Sequence, residues 1–273
     1  MNETLIVKEA VTHSATSSVE VIAEDCDILV LLLYHGASTE NEIFFSTAKG
    51  TFKIKDISVN LTENERDRLL FVHSFTGCDT VSGIFRHGKV ALLEKLCTKK
   101  DEIDAIFNKI MALDTPKEQI VATGASLFSF IYGDITKPLK TLRLNKYLKM
   151  SATKMVKPEF LPPTAGAVMQ HTLRAFLQYH DWVLLGSMTL QPCSYGWYIN
   201  KNGKYAPTLT EDPVAPPELL KLTICNCKTG CITMQCSCKA SGLKCIPACG
   251  VCHGQGCTNS EEIGDEEELD VEN

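Results

Sequence analysis

The sequence predicts an α/β body, followed by a helical and hairpin region and a small zinc-stapled domain. Three observations carry this expectation. Helix-like and strand-like patterns alternate over residues 1–115, as in sheets covered by helices. A Pro-rich stretch, EDPVAPPE, interrupts the chain at 211–218 and reads as an extended linker. Nine of the thirteen cysteines then fall within residues 225–257, CNCKTGCITMQCSCKASGLKCIPACGVCHGQGC.

Taken in order, TLIVKEAVTHSA (4–15) reads as a helix and VEVIA (19–23) as a strand. ILVLLL (28–33) is a buried strand or helix, because a short apolar run does not separate the two. EIFFS (42–46) and TFKIKDI (51–57) read as a pair of strands. TENERDRLLFVHSF (62–75) opens on a Thr-x-x-Glu capping box, Thr62 and Glu65, and reads as a helix. Residues 116–190 are mostly helical, broken by KPEFLPPT (157–164). GWYINKNGKYAP (196–207) reads as two short strands around Asn202-Gly203, a hairpin signal. The expected organisation is an α/β region (1–115), a helical region with a hairpin (116–205), a linker (206–220), a cysteine domain (221–259) and a disordered acidic tail (260–273). From Asn259 onward the chain holds eight acids and no base, a composition that does not bury a core.

Composition narrows the function classes. Hydrophobic residues make up 44% of the 273 and mean hydropathy is −0.01, enough for a buried core. No apolar run approaches the roughly 20 residues of a membrane helix, so no membrane partner is expected. MNETLIVKEA lacks the basic start and cleavage pattern of a secretory signal. The expected location is intracellular, with the nucleus as the compartment, and the glycosylation patterns at Asn2 and Asn60 are then chance. Reducing compartments favour cysteines as metal ligands over disulfides, and nine is an odd number to pair. A net charge of −6 argues against a generally basic nucleic-acid binder.

The cysteines are Cys225, Cys227, Cys231, Cys236, Cys238, Cys245, Cys249, Cys252 and Cys257. Structural zinc takes four tetrahedral ligands. Three ions need twelve thiolate contacts, which nine sulfurs supply if three of them bridge. Two four-cysteine sites with one spare thiol is the competing arithmetic. The order CxC…CxC…CxxC with SGLKC between the halves resembles the tesmin-type CXC domain. That resemblance implies three zinc ions on the nine cysteines and contact with DNA. DNA-reading members carry a tyrosine just before the fourth cysteine, where this chain has Gln235. Nine thiolates and three Zn²⁺ leave −3, and Lys221, Lys228, Lys239 and Lys244 add +4, so the module is close to neutral at about +1. Phosphate neutralisation dominates non-specific DNA affinity, so binding by the module alone is expected to be weak.

Two acidic stretches stand out in the α/β part. One is Glu24-Asp25-Cys26-Asp27 after the first strand; the other is Gly77-Cys78-Asp79. Acids at i and i+2 past a strand can converge on a hard cation, and a pair of such ions serves phosphodiester cleavage. The plain alternative is a helix N-cap or turn at each. Together they resemble the PIN-like, structure-specific (flap) nuclease superfamily. There an acid on a helix, an ED-x-D after a strand and a G-[SC]-D before a turn bind magnesium or manganese. Glu3, Asp25, Asp27 and Asp79 are the matching positions. With LPPT and a CXC module behind them, they also resemble invertebrate proteins of transposon-like distribution. The family's first strand and two further acids have no counterpart before Glu3. The resemblance therefore implies an incomplete PIN-like sheet with helices for the α/β region, with either a fragment of a longer product or a shrunken, inactive descendant expected.

The leading expectation is a zinc-binding, nucleic-acid-associated protein with an inactive nuclease-like region, contacting DNA or RNA through the backbone. The alternatives are a Mg/Mn-dependent nuclease on DNA or RNA strands, and a non-enzymatic adaptor that docks protein. Residues 135–158 carry seven Lys/Arg and no acid and read as a solvated helix face, with Leu139, Leu142 and Leu144 turned inward. His73, His87, His171 and His180 read as packed or surface residues. Cys26, Cys78, Cys97 and Cys193 read as small core residues, and Trp182, Trp197 and Tyr198 as a small core under the hairpin.

Overall fold

The computed structural model describes residues 3–98, 100–151, 158–187, 189–210, 212, 224–228, 230–240 and 242–260. Most of the linker, the acidic tail from 261, Lys221, residues 152–157 of the basic run and the Cys97 side chain lie outside them. The chain forms two compact units, one of residues 1–139 and 163–212, the other of 140–162 and 213–273.

The first unit opens with helix α1 (Glu3–His13) and strand β1 (Val19–Ile22). The ILVLLL run is helical: α2 spans Cys26–His35 and buries Ile28, Val30, Leu31, Leu32 and Leu33. A helix apolar on every side belongs in a core. Its start is set by Asp25, whose side chain accepts a hydrogen bond from the Asp27 N–H at 2.9 Å. Strand β2 (Ile43–Thr47) pairs parallel with β1 and antiparallel with β3 (Gly50–Lys53). Helix α2 is thus the crossover that parallel neighbours require. The second expected strand ends early, because Ile54–Ser58 forms a short helix, α3. Ile54 and Ile57 satisfy a strand's alternation of spacing no better than a helix's i, i+3 face. Burial decides for the helix, with Ile54 fully enclosed.

Helix α4 (Glu63–Phe75) carries the predicted capping box, with Thr62 and Glu65 each hydrogen-bonded to the other's backbone. Leu70, Phe71, Val72 and Phe75 on it are fully buried. Helices α5 (Lys89–Thr98), α6 (Lys100–Met111) and α7 (Lys117–Ile131) follow. The same core takes Phe107 from α6, Phe128 from α7, and Phe176 and Trp182 from α9 (Ala165–Val183). Helices α7 and α9 approach closely at Gly124, where a Cβ would stand 2.1 Å from the Thr172 hydroxyl. The hairpin is β4 (Trp197–Ile199) and β5 (Tyr205–Pro207). Its loop is a turn closed by Gly203 N–H on the Asn200 carbonyl, with Gly203 at φ +72°, a type I turn with a glycine bulge. Trp182 belongs to the main core and Tyr198 is half exposed, so the small core expected under the hairpin reduces to Trp197.

Helix α8 spans Leu139–Ser151, all but its first residue in the second unit. Leu144 is 44% exposed, so that leucine does not turn inward as its spacing suggests. Among its described residues the cysteine module, 224–260, has one helical turn, α10 (Ser237–Ala240). Among the described residues its buried side chains are almost all cysteine, and no aliphatic core replaces them. Three backbone hydrogen bonds tie its ends: Cys245 N–H to Asn259 O, Gly250 N–H to Cys225 O, and Thr258 N–H to Gly230 O.

Candidate metal centre

A fold this small with so little apolar burial needs a staple, and the sulfurs are placed to take one. Sγ–Sγ separations are 3.6 Å for Cys225–Cys231 and Cys238–Cys249, 3.8 Å for Cys225–Cys245 and Cys236–Cys245, and 4.0 Å for Cys225–Cys252. A disulfide holds its sulfurs at about 2.05 Å, so these are thiols. Tetrahedral zinc at about 2.3 Å from each sulfur sets an edge of roughly 3.8 Å, which these separations match. Three groups of four sulfurs lie within 4.8 Å: Cys225 with Cys236, Cys238 and Cys245; with Cys227, Cys231 and Cys236; and with Cys231, Cys245 and Cys252. Cys225 belongs to all three, and Cys231, Cys236 and Cys245 to two each. Cys249 stands beside Cys238, and Cys257 is within sulfur hydrogen-bonding reach of Cys245 and Cys252.

Local backbone prepares some of these thiols and burial opposes others. The Lys239 N–H on the first turn of α10 pulls the Cys236 thiol down to about 7. Burial pushes Cys238 up to about 12, and raises Cys231 and Cys245 as well. Crowded thiolates without a counter-charge are unfavourable, and a divalent cation supplies that charge. The residues fit zinc: soft ligands, tetrahedral edges, and sulfurs common to neighbouring groups.

No family model, curated protein or solved structure matches this chain. Assignment therefore rests on the residues themselves.

The structure brings Glu3, Asp25, Asp27 and Asp79 into one electrostatic neighbourhood. Burial raises the Glu3 carboxyl above the usual range, and the charges of Asp27, Asp25 and Asp79 raise it further. Each comes from a different place: the first turn of α1, the cap and first turn of α2, and the loop after α4. In that loop Cys78 and Val81 exchange backbone hydrogen bonds at 2.9 and 3.2 Å, setting Asp79 and Thr80 at the tip of a turn. Gly77, at φ +121°, permits it; a Cβ there would stand 2.7 Å from the Gly83 Cα. Among the described residues, no three carboxylates come within 4.8 Å of one another, so the acids act on the charge of Glu3 without closing a coordination shell.

Sequence reading missed the partners of this cluster. Asp27 is buried and its Oδ1 lies 2.6 Å from His73 Nε2, with the Lys89 ammonium 3.3 Å from the same nitrogen. His73 is thus packed, as expected of it, and also orients a candidate ligand. The signal was faint: a histidine 46 residues from its aspartate. Cys78 lies near Asp27, and burial raises its thiol above the ordinary value. Cys26 and Cys193 are exposed and do not serve as core residues. His171 and His180 are buried, and His87 lies edge-on to Tyr132 at 5.0 Å. No helix of the described residues is long and apolar enough to cross a membrane.

Proposed function

We propose that this chain is a zinc-binding, nucleic-acid-associated protein whose nine cysteines hold three zinc ions as a bridged cluster. The observation that carries the reading is the sharing of Cys225, Cys231, Cys236 and Cys245 between groups of four sulfurs that lie within 4.8 Å of one another. Isolated four-cysteine sites would share none. The spacing's resemblance to the CXC domain supports the same count. Metal analysis of the purified chain is expected to return three zincs per molecule; two or fewer overturns the bridged cluster.

Association with DNA or RNA is backbone-directed and weak for the module. Lys239 and Lys244 already donate to the carbonyls of Ile232 and Ser260, and Gln235 stands where a groove-reading tyrosine is needed. A mobility shift at low salt that disappears as salt rises is expected. Salt-independent capture of protein with no shift supports the adaptor reading instead.

A second reading, a Mg/Mn-dependent nuclease, draws on the shared field of Glu3, Asp25, Asp27 and Asp79. A cation there would hold a phosphodiester and lower the pKa of its water. His73 would orient Asp27. The test is incubation with flapped or single-stranded DNA and Mn²⁺. Cleavage that survives Asp25→Asn combined with Asp79→Asn removes this reading.

A further inference from the structure

Beside the Asp79 turn lies a cleft of about 270 Å³ between α9 and the hairpin. Leu177, which is buried, and the aromatic side chains of Trp197 and Tyr205 line it. Arg174, Leu177, Gln178 and Asp181 follow the i, i+3, i+4, i+7 spacing that puts them on one helix face. Thr80, next to Asp79, reaches into the cleft, and its hydroxyl donates to Gln178 Oε1 at 2.5 Å.

The two charges of the cleft do not cancel each other. Arg174 and Asp181 are two turns apart on α9, roughly 10 Å along the axis. The Arg174 guanidinium is held by the carbonyls of Gly196 and Thr208 at 3.3 Å each. Among the described residues no hydrogen bond or ion pair reaches the Asp181 carboxylate, although burial raises its pKa above the ordinary value. The cleft therefore offers aromatic faces, an acceptor seeking a donor, and a fixed cation seeking an acceptor. A cationic side chain would suit the rings and Asp181 but would meet Arg174. A neutral planar ring with N–H donors on one edge and acceptors on another satisfies every group. Guanine has that edge pattern: N1–H and the amino group for Asp181, and O6 and N7 for Arg174. Aromatic faces stack on any base.

We infer that this cleft is a guanine-binding subsite, taking an unpaired guanine of a nucleic-acid strand. The inference rests on the nucleic-acid reading above, and the test separates the two. The full chain is titrated with two single-stranded DNA octamers, one with a single guanine in a thymine run, the other abasic at that place. Trp182 is only 1% exposed, so changes in indole emission report Trp197. The guanine octamer is expected to bind at least about fivefold tighter and to quench the emission. Asp181→Asn is expected to bring it down to the abasic octamer's affinity by the same emission, and Trp197→Ala, which removes the reporter, to do so by the anisotropy of a fluorescein-labelled octamer; Asp181→Asn keeps the side chain's shape if the hairpin does not tolerate the loss of the indole. Equal binding of the two octamers overturns the subsite and leaves nucleic-acid association standing. If neither octamer binds, that association fails, and guanosine monophosphate decides the cleft. Quenching by it that Asp181→Asn abolishes upholds guanine recognition with a free nucleotide as the source; no response overturns it. Quenching by N-acetylarginine amide and not by the nucleotide overturns it in favour of a cationic peptide.

Discussion

At the scale of single residues, the cysteine module depends on glycines as much as on sulfur. Gly254 sits at φ +67°, and a Cβ there would stand 2.7 Å from the Ile246 carbonyl carbon. Gly256 has nearly the same φ, +66°, with nothing within 4 Å. Gly256→Ala is expected to cost only the left-handed strain, about 1–2 kcal/mol. Gly254→Ala adds a backbone clash between Cys252 and Cys257 that no rotamer relieves. Zinc affinity, read by competition with a chromophoric chelator, is expected to fall at least about tenfold further for Gly254→Ala, which is about 1.4 kcal/mol. Equal losses would mean that the close approach to Ile246 is not what holds this turn. The cysteine spacing was readable in advance, whereas the stricter need for glycine at 254 than at 256 comes from a neighbour eight residues back in the chain.

At the scale of elements, Asp25 shows how one residue serves two readings. Its side chain caps α2 by accepting the Asp27 N–H, and its charge contributes to the field at Glu3. Asp25→Ala is expected to lose both, with about 1 kcal/mol of stability from the cap alone. Asp25→Asn is expected to keep most of the cap while removing the charge. Thermal melts of the two variants check this: similar losses would show that the charge, not the cap, is the structural contribution. The capping box at Thr62 and Glu65 was legible because it is local. The early end of β3 was not, since Phe52 and Ile54 continue a strand's alternation while Ile54 and Ile57 fit one helix face, and so short a stretch does not separate the two.

At the scale of the whole molecule, the two units respond to different conditions. The first unit buries His171 and His180, and burial lowers each to about 4. The His171 ring also hydrogen-bonds the Phe75 carbonyl at 2.8 Å. With folded values below the ordinary 6.5 or so, the unfolded chain binds the extra protons. Their contribution is complete above about pH 6.5 and is lost as pH falls toward 4. Urea midpoints are expected to drop between pH 7 and pH 5, by up to about 2 kcal/mol per histidine, and His171→Gln is expected to flatten that dependence. A slope unchanged in the variant would place the proton uptake elsewhere. In the cysteine module, chelation is expected to abolish the amide protection of residues 224–260, because sulfur is its core. The aromatic core around Phe71 and Phe176 is expected to keep its own melting transition. Joint loss of both would make the two units one cooperative body.

The sequence by itself determined what is local or countable: the sulfur count and spacing, the α4 cap, the hairpin, and the acids as chemical types. Periodicity and spacing report on neighbours along the chain, and those features need no others. Tertiary structure alone decided which groups meet. It set His73 against Asp27, gathered acids from α1, α2 and the Asp79 turn, and opened a cleft between Asp181 and Trp197. Such contacts depend on how helices pack across tens of residues, and no local pattern encodes that distance.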